Sequence, residues 1–153
     1  MPINIQQLTP ADLDGMAKLV TLFGEVFDDF ETYTGHPPDA AYLTNLLASD
    51  TFIALVAWQG DDVVGGLAAY ELRKFEQQRS EIYIYDLAVS ASCRRQGIAT
   101  GLIQELQRLG AARGAYVIFV QADTDEDDQP AINLYTKLGT REDVLHFDIP
   151  VAR

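Results

Sequence analysis

The chain reads as a mixed α/β (α+β) protein, with a mixed central sheet of six to seven strands flanked by about four helices. Three observations carry this. The run Tyr116-Val117-Ile118-Phe119-Val120-Gln121-Ala122 is nearly unbroken in its apolarity and of strand length, as expected of a central strand covered on both faces. Ahead of it, Ile98, Leu102, Leu106, Leu109 and Ala112 recur at helical spacing until Gly114 closes the pattern, while Gln104, Glu105, Gln107 and Arg108 point elsewhere. Ahead of that helix the apolar run Ile82 to Val89 leads into a short basic loop, so the three together read as strand, loop, helix, strand.

The remaining elements follow in order. Ile3 to Leu8 alternates loosely as an opening strand, and Thr9-Pro10-Ala11-Asp12 supplies an N-cap, a first-turn proline and an acidic N3 residue for a helix running to about Phe27. Leu13, Met16, Leu19, Val20 and Phe23 form its apolar face. Asp28-Asp29-Phe30-Glu31-Thr32-Tyr33 is an acidic, aromatic segment ending at Gly35-His36-Pro37-Pro38, after which Asp39 caps a helix carrying Tyr42, Leu43, Leu46 and Leu47. Thr51 to Trp58, a turn at Gly60-Asp61-Asp62, and Val63 to Leu72 read as a hairpin, and Ser80 to Val89 as the next strand. Beyond the central strand lie the loop Asp123 to Asp128, a short amphipathic helix from Ala131 to Leu138 stopped by Gly139, and terminal strand segments around Arg141 to Ile149. No linker interrupts the order, so residues 1–153 are expected to form a single domain.

A chain of 153 residues with 48% apolar and 22% charged residues is large enough to bury a core without metal or disulfide staples. Its one cysteine, Cys93, excludes an internal disulfide and any cysteine-built metal site. No basic, apolar leader opens the sequence and no run approaches a membrane span, which points to a cytoplasmic protein with no membrane partner. With 23 acidic against 11 basic residues the formal charge is −12, which argues against nucleic acid; a cleft lined by carboxylates would concentrate a cationic ligand, while charge alone is better read as keeping the protein soluble. The acidic loop lacks the spacing of a calcium site, so no metal is expected.

Arg94-Arg95-Gln96-Gly97-Ile98-Ala99 is the most informative stretch. The first N–H groups of a helix have no intrahelical partner and carry about half a positive charge, Gly97 permits close approach, and two arginines add charge-assisted bonds: together a seat for a pyrophosphate. Neither a P-loop nor a Gly-x-Gly-x-x-Gly pattern is present. As Arg-x-x-Gly-x-Ala, however, the stretch resembles the Q/R-x-x-G-x-G/A loop with which GCN5-related N-acetyltransferases grip acetyl-CoA. Ala131, Leu134, Tyr135 and Gly139 resemble the same family's N-x-x-A-x-x-L-Y-x-x-x-G-F motif, with Asp128 where asparagine is usual and Thr140 where phenylalanine is. An anionic Asp128 accepts but does not donate a hydrogen bond, which alters the contact to the CoA arm assigned to that asparagine.

Longer blocks are similar to the type I aminoglycoside 3-N-acetyltransferases, the gentamicin-modifying branch. They include Tyr42-Leu43-x-Asn45-Leu46-Leu47, Arg79-Ser80-Glu81-Ile82-Tyr83-Ile84-Tyr85-Asp86-Leu87-Ala88-Val89-Ser90 and His146-Phe147-Asp148-Ile149. The resemblance implies acetyl transfer from acetyl-CoA, the co-substrate, to the 3-amino group of a 2-deoxystreptamine ring, conferring antibiotic resistance, and a homodimer. It also implies cofactor contacts from Leu87, Ala88 and Val89 at a strand bulge, from Arg94, Arg95, Gln96, Gly97, Ile98, Ala99 and Thr100 in the loop and helix start, and from Asp128. Tyr135 is then the acid for the departing thiolate: a thiolate of pKa about 8.5 and a phenol of about 10 differ by only ~2 kcal/mol. Asp86 is the choice to accept the amine proton, directly or through water, and to anchor the incoming charge, with Glu81, Tyr83 and Asp123 as further substrate contacts. Glu81, Tyr83 and His146 stay open as alternative bases. Alternation puts Tyr83 and Tyr85 on one strand face and Ile82, Ile84 and Asp86 on the other, a parity that a bulge would disturb. A polyamine or protein N-terminus as acceptor, and a non-catalytic acyl-CoA sensor, are the competing functions.

Overall fold

The computed structural model describes residues 2–152, which divide into two units at the junction of Gln121 and Ala122. The first unit is built on a five-stranded sheet in the order β1 (Ile3–Gln7), β2 (Phe52–Gln59), β3 (Asp62–Arg73), β4 (Ser80–Val89) and β5 (Ala115–Val120). Its first four strands pair antiparallel and β5 runs parallel to β4, so the sheet is mixed, as expected. The parallel step needs a crossover, which α4 (Ile98–Arg113) supplies. Between β1 and β2 lie α1 (Leu13–Val26), α2 (Phe30–Thr34) and α3 (Ala40–Ala48).

Residues paired across the sheet share a face, so the register sorts the two layers. Phe52, Ala54, Val56, Ala68 and Ala88 face α1, where they bury Met16, Leu19, Leu22 and Phe23, with Leu47 of α3 beside them. Ile53, Leu55, Leu67, Ile82 and Ile84 belong to the opposite face, which α4 covers with Ile98, Leu102, Ile103 and Leu106. Leu109 is only half-buried and Ala112 is exposed, so the buried stripe of α4 runs through Ile103 and Gly110 instead. Glycines let the layers close. A Cβ on Gly66 would stand 2.3 Å from Cδ1 of Leu19 and 2.8 Å from the Leu55 carbonyl oxygen. Gly66→Ala is therefore expected to destabilise the protein by ~2 kcal/mol, seen as a lowered Tm. An unchanged Tm would show that α1 shifts freely.

Local signals account for most element ends. The Asp39 carboxylate accepts the Tyr42 N–H at 2.8 Å, the expected cap of α3. At α1 the outcome differs. The helix starts at Leu13, and the Asp12 carboxylate turns back to accept the N–H and hydroxyl of Thr9 at 2.8 and 2.9 Å, so Thr9 and Pro10 form a turn before the helix. The acidic, aromatic segment forms the short helix α2, capped by Asp29, which accepts the Thr32 N–H at 3.1 Å. At the C-terminal end of α4, Arg113 donates to the buried Glu71 carboxylate at 2.6 Å, and Ser80 donates to its other oxygen at 2.6 Å. That pairing gives a buried carboxylate on β3 the partners it needs.

In the second unit a single 3₁₀ turn (Glu126–Asp128) leads into α5 (Gln129–Leu138), with Pro130 in its first turn. Residues 140–152 carry no regular secondary structure, which corrects the expected terminal strands around Arg141 to Ile149 and leaves the sheet with five strands rather than six or seven. A strand exists only by pairing, and Leu145, Phe147, Ile149 and Val151, which alternate as strand residues should, are all exposed. No helix among the described residues is long and apolar enough to cross a membrane.

Candidate active site

The basic loop is built as its sequence predicts. Ala91–Cys93 forms a 3₁₀ turn after β4, Arg95 and Gly97 take left-handed backbone angles (φ 66° and 76°), and Gly97 caps α4. The first helical bond runs from the Gly101 N–H to the Gly97 carbonyl at 2.9 Å, so the N–H groups of Ile98, Ala99 and Thr100 have no partner within the helix. Nothing lies within 4 Å of the position a Gly97 Cβ would occupy, so the approach to these donors is open. Arg94, Arg95 and Gln96 are exposed at its rim, and Ile98 is buried, anchoring the helix start against the sheet. Three convergent N–H donors, a helix dipole and two guanidinium groups fit a diphosphate. Cys93, beside the arginines, is buried with its Sγ toward the Gln59 side-chain oxygen at 3.9 Å, so it packs as a core residue.

The strand before the loop has two irregularities that create the second half of the site. Ala68 pairs with Asp86 but Ala69 pairs with Ile84, so Tyr85 is one residue too many: a bulge, placed just before the Asp86-Leu87-Ala88-Val89 stretch where the resemblance set it. In addition, pairing of β4 with β5 stops at Ile84 and Val120. From there on the β5-facing N–H and C=O groups of the stretch Tyr85 to Val89 have no strand partner and are available to a ligand.

The bulge also resets which way Asp86 points. Simple alternation placed it on the face of Ile82 and Ile84. The extra residue instead moves it to the face of Ala68 and Ala54, toward α1 and α2. There the Tyr33 hydroxyl donates to Asp86 Oδ2 at 2.9 Å. Tyr33 is held by ring contacts with Phe23 and Phe27, both at 5.7 Å between centroids. Burial raises the Asp86 carboxyl above its ordinary range, and the bond from Tyr33 opposes that rise. Tyr33 is itself pushed up, first by burial and then by its bond to Asp86. Fifty-three residues separate the two, and no spacing rule links them; the only signal was the acidic, aromatic character of the segment that carries Tyr33.

The other candidates are distributed as follows. Tyr83, which alternation set on the other face from Asp86, shares a face with it because of the bulge, its ring stacked on Phe119 at 4.7 Å and its hydroxyl donating to the Gln121 side chain at 3.1 Å. Glu81, five residues before Asp86 along β4, accepts from Lys74 at 3.0 Å and from the Tyr116 hydroxyl at 3.2 Å, and the Lys74 bond holds its carboxyl below the ordinary range. In the second unit the Asp128 carboxylate accepts the Asp123 N–H at 2.8 Å, closing the acidic loop on itself. Tyr135 lies on α5, its phenol pushed up to about 12 by burial, with the charge of Asp128 adding to the shift. It keeps its proton throughout the physiological range. His146 pairs with Asp148 at 2.8 Å in the exposed terminal segment.

Residues 19–140 match the Acetyltransferase (GNAT) family. An aminoglycoside acetyltransferase from an uncultured soil metagenomic sample is 63% identical, the alignment covering 99% of this chain and 100% of that one, with a TM-score of 0.97. A second aminoglycoside acetyltransferase from an uncultured soil metagenomic sample, solved in complex with sisomicin, is 32% identical over 98% of this chain and 97% of that one, with a TM-score of 0.87. N-acetyltransferase 8B of Rattus norvegicus is 27% identical over 110 residues, 71% of this chain. The chain spans about half of that relative's length, 49%.

Proposed function

Since the chain belongs to the Acetyltransferase (GNAT) family and is an acetyl-CoA-dependent N-acetyltransferase, we propose that its acceptor is an aminoglycoside, modified at the 3-amino group of the 2-deoxystreptamine ring. On this reading gentamicin is a substrate, the biological outcome is antibiotic resistance, and the working form is a cytoplasmic homodimer. The observation that carries it is the 63% identity, over essentially all of both chains, to an aminoglycoside acetyltransferase.

When bound, acetyl-CoA supplies an activated acyl group on a thiol leaving group. The chain's own contribution begins at Ile98, Ala99 and Thr100, whose free N–H groups hold the diphosphate with Arg94, Arg95 and Gln96 at the rim and Gly97 beneath. Backbone groups of Leu87, Ala88 and Val89, unpartnered on the β5 side, hydrogen-bond the pantetheine and polarise the acetyl carbonyl. Asp86 takes the ammonium of the acceptor and receives its proton, so that the nitrogen is neutral when it attacks. Tyr135 donates to the developing thiolate, and Asp128 orders the loop that precedes α5. Tyr83 and Asp123 contribute to acceptor binding. Glu81 does so less directly, because Lys74 already neutralises it.

The test is thiol release with gentamicin, spermidine and a peptide amine as acceptors, followed by NMR of the product. The expected result is a single acetyl group on the 3-amino nitrogen of gentamicin. Acetylation of another ring nitrogen would correct the regiochemistry, and turnover confined to spermidine or the peptide would overturn the aminoglycoside assignment.

A further inference from the structure

One row of residues lies straight across the sheet on the Asp86 face. Phe52 pairs with Tyr70, Tyr70 with Tyr83, and Tyr83 with Phe119, so four neighbouring strands each contribute one aromatic ring at the same level. The rings touch in sequence: Phe52 to Tyr70 at 5.4 Å between centroids and Tyr83 to Phe119 at 4.7 Å, with Tyr85 bridging Tyr70 and Tyr83 at 5.9 and 5.8 Å in edge-on contacts. Tyr85 is on the Tyr83 face by plain alternation, and the bulge brings Asp86 to the same face. The row runs from closed to open, since Phe52 is 5% exposed, Tyr70 38% and Tyr85 61%. Asp86 follows Tyr85 directly in the chain, its carboxylate tied to Tyr33.

We propose that this aromatic shelf is a saccharide-binding subsite that takes the apolar face of an aminosugar ring while Asp86 takes an ammonium group on the same molecule. The proposal rests on the aminoglycoside reading above and adds what distinguishes such a ring from other amines. A pyranose or cyclitol ring presents C–H groups on one face and polar groups at its edge, so it matches a flat apolar surface bounded by a carboxylate. The ring's ammonium groups are also attracted to the faces of the tyrosines. Aromatic side chains fixed by strand register lose little freedom on binding. A linear polyamine has the charge but no face, so it gains from Asp86 and little from the shelf.

The experiment compares Tyr85→Leu and Tyr70→Leu, which keep apolar bulk but remove the ring, with Tyr85→Phe, which keeps the ring. Kinetics are measured with gentamicin, spermidine and acetyl-CoA, and gentamicin binding is measured by calorimetry. Each Leu variant is expected to raise the gentamicin KM about tenfold, to leave the acetyl-CoA KM within twofold, and to change any spermidine turnover little. Tyr85→Phe should recover gentamicin binding to within about twofold. Equal losses for gentamicin and spermidine, or no loss for gentamicin, would overturn the shelf while leaving the acceptor assignment intact. If the wild-type enzyme acetylates no gentamicin, the acceptor assignment fails, and calorimetry then decides the shelf: tighter gentamicin binding by wild type than by Tyr85→Leu supports it, and equal or absent binding overturns it.

Discussion

Asp86→Asn should lower kcat/KM for the amine acceptor by about a hundredfold or more, the scale of a lost general base, while the acetyl-CoA KM stays within a few fold. The amide keeps the shape of the carboxylate and can still accept from Tyr33, so the loss reads charge and basicity rather than packing. The pH profile gives an independent check. As the proposed base Asp86 would work as the carboxylate, so kcat/KM is expected to rise as pH climbs through its pKa, which burial has raised. Tyr33 donates to the ionised form and holds that pKa down, so Tyr33→Phe should shift the acid limb to higher pH and leave the plateau nearer wild type. An acid limb unmoved in Tyr33→Phe, or parental kinetics in Asp86→Asn, would remove Asp86 from the proton path.

Tyr135→Phe is the second large effect: kcat should fall on the order of a hundredfold with acetyl-CoA affinity little changed, because the hydroxyl acts only as charge develops on sulfur. The raised pKa sharpens this prediction. Against a thiol near 8.5, a phenol at about 12 makes full proton transfer uphill by ~5 kcal/mol rather than ~2 kcal/mol, so in the proposed role Tyr135 would act as a hydrogen-bond donor that keeps its proton. No alkaline limb from Tyr135 should therefore appear below pH 10. A variant with unchanged kcat, or with acetyl-CoA binding lost in proportion to rate, would assign the phenol to packing.

What the sequence disclosed and what it hid have physical causes. The helix after Gly97 was legible because its spacing, its glycine cap and its basic approach all agree, and the Asp39 cap because a carboxylate before an apolar helix has one local use. The bulge was expected from the resemblance but not from residue pattern, since an extra residue in a strand depends on what the neighbouring strand does; alternation alone sent Asp86 to the wrong face. Tyr33 was hidden for the same reason, its partner lying fifty-three residues away. Thr9 has a capping residue's chemistry, yet Asp12 draws it into a turn instead. The terminal residues around Leu145 to Ile149 carry strand alternation without forming a strand, because pattern sets which face a residue would take and not whether a partner is present.

The early parting of β4 from β5 has a consequence for how such an enzyme changes its diet. On the proposed reading much of donor recognition falls to peptide groups and a helix start, with Arg94 and Arg95 beside them, whereas acceptor recognition falls to the rings and carboxylate on the neighbouring face. If the shelf takes the acceptor, substitutions at positions 70, 83 and 85 are expected to change which amines are accepted while binding of the acyl carrier persists.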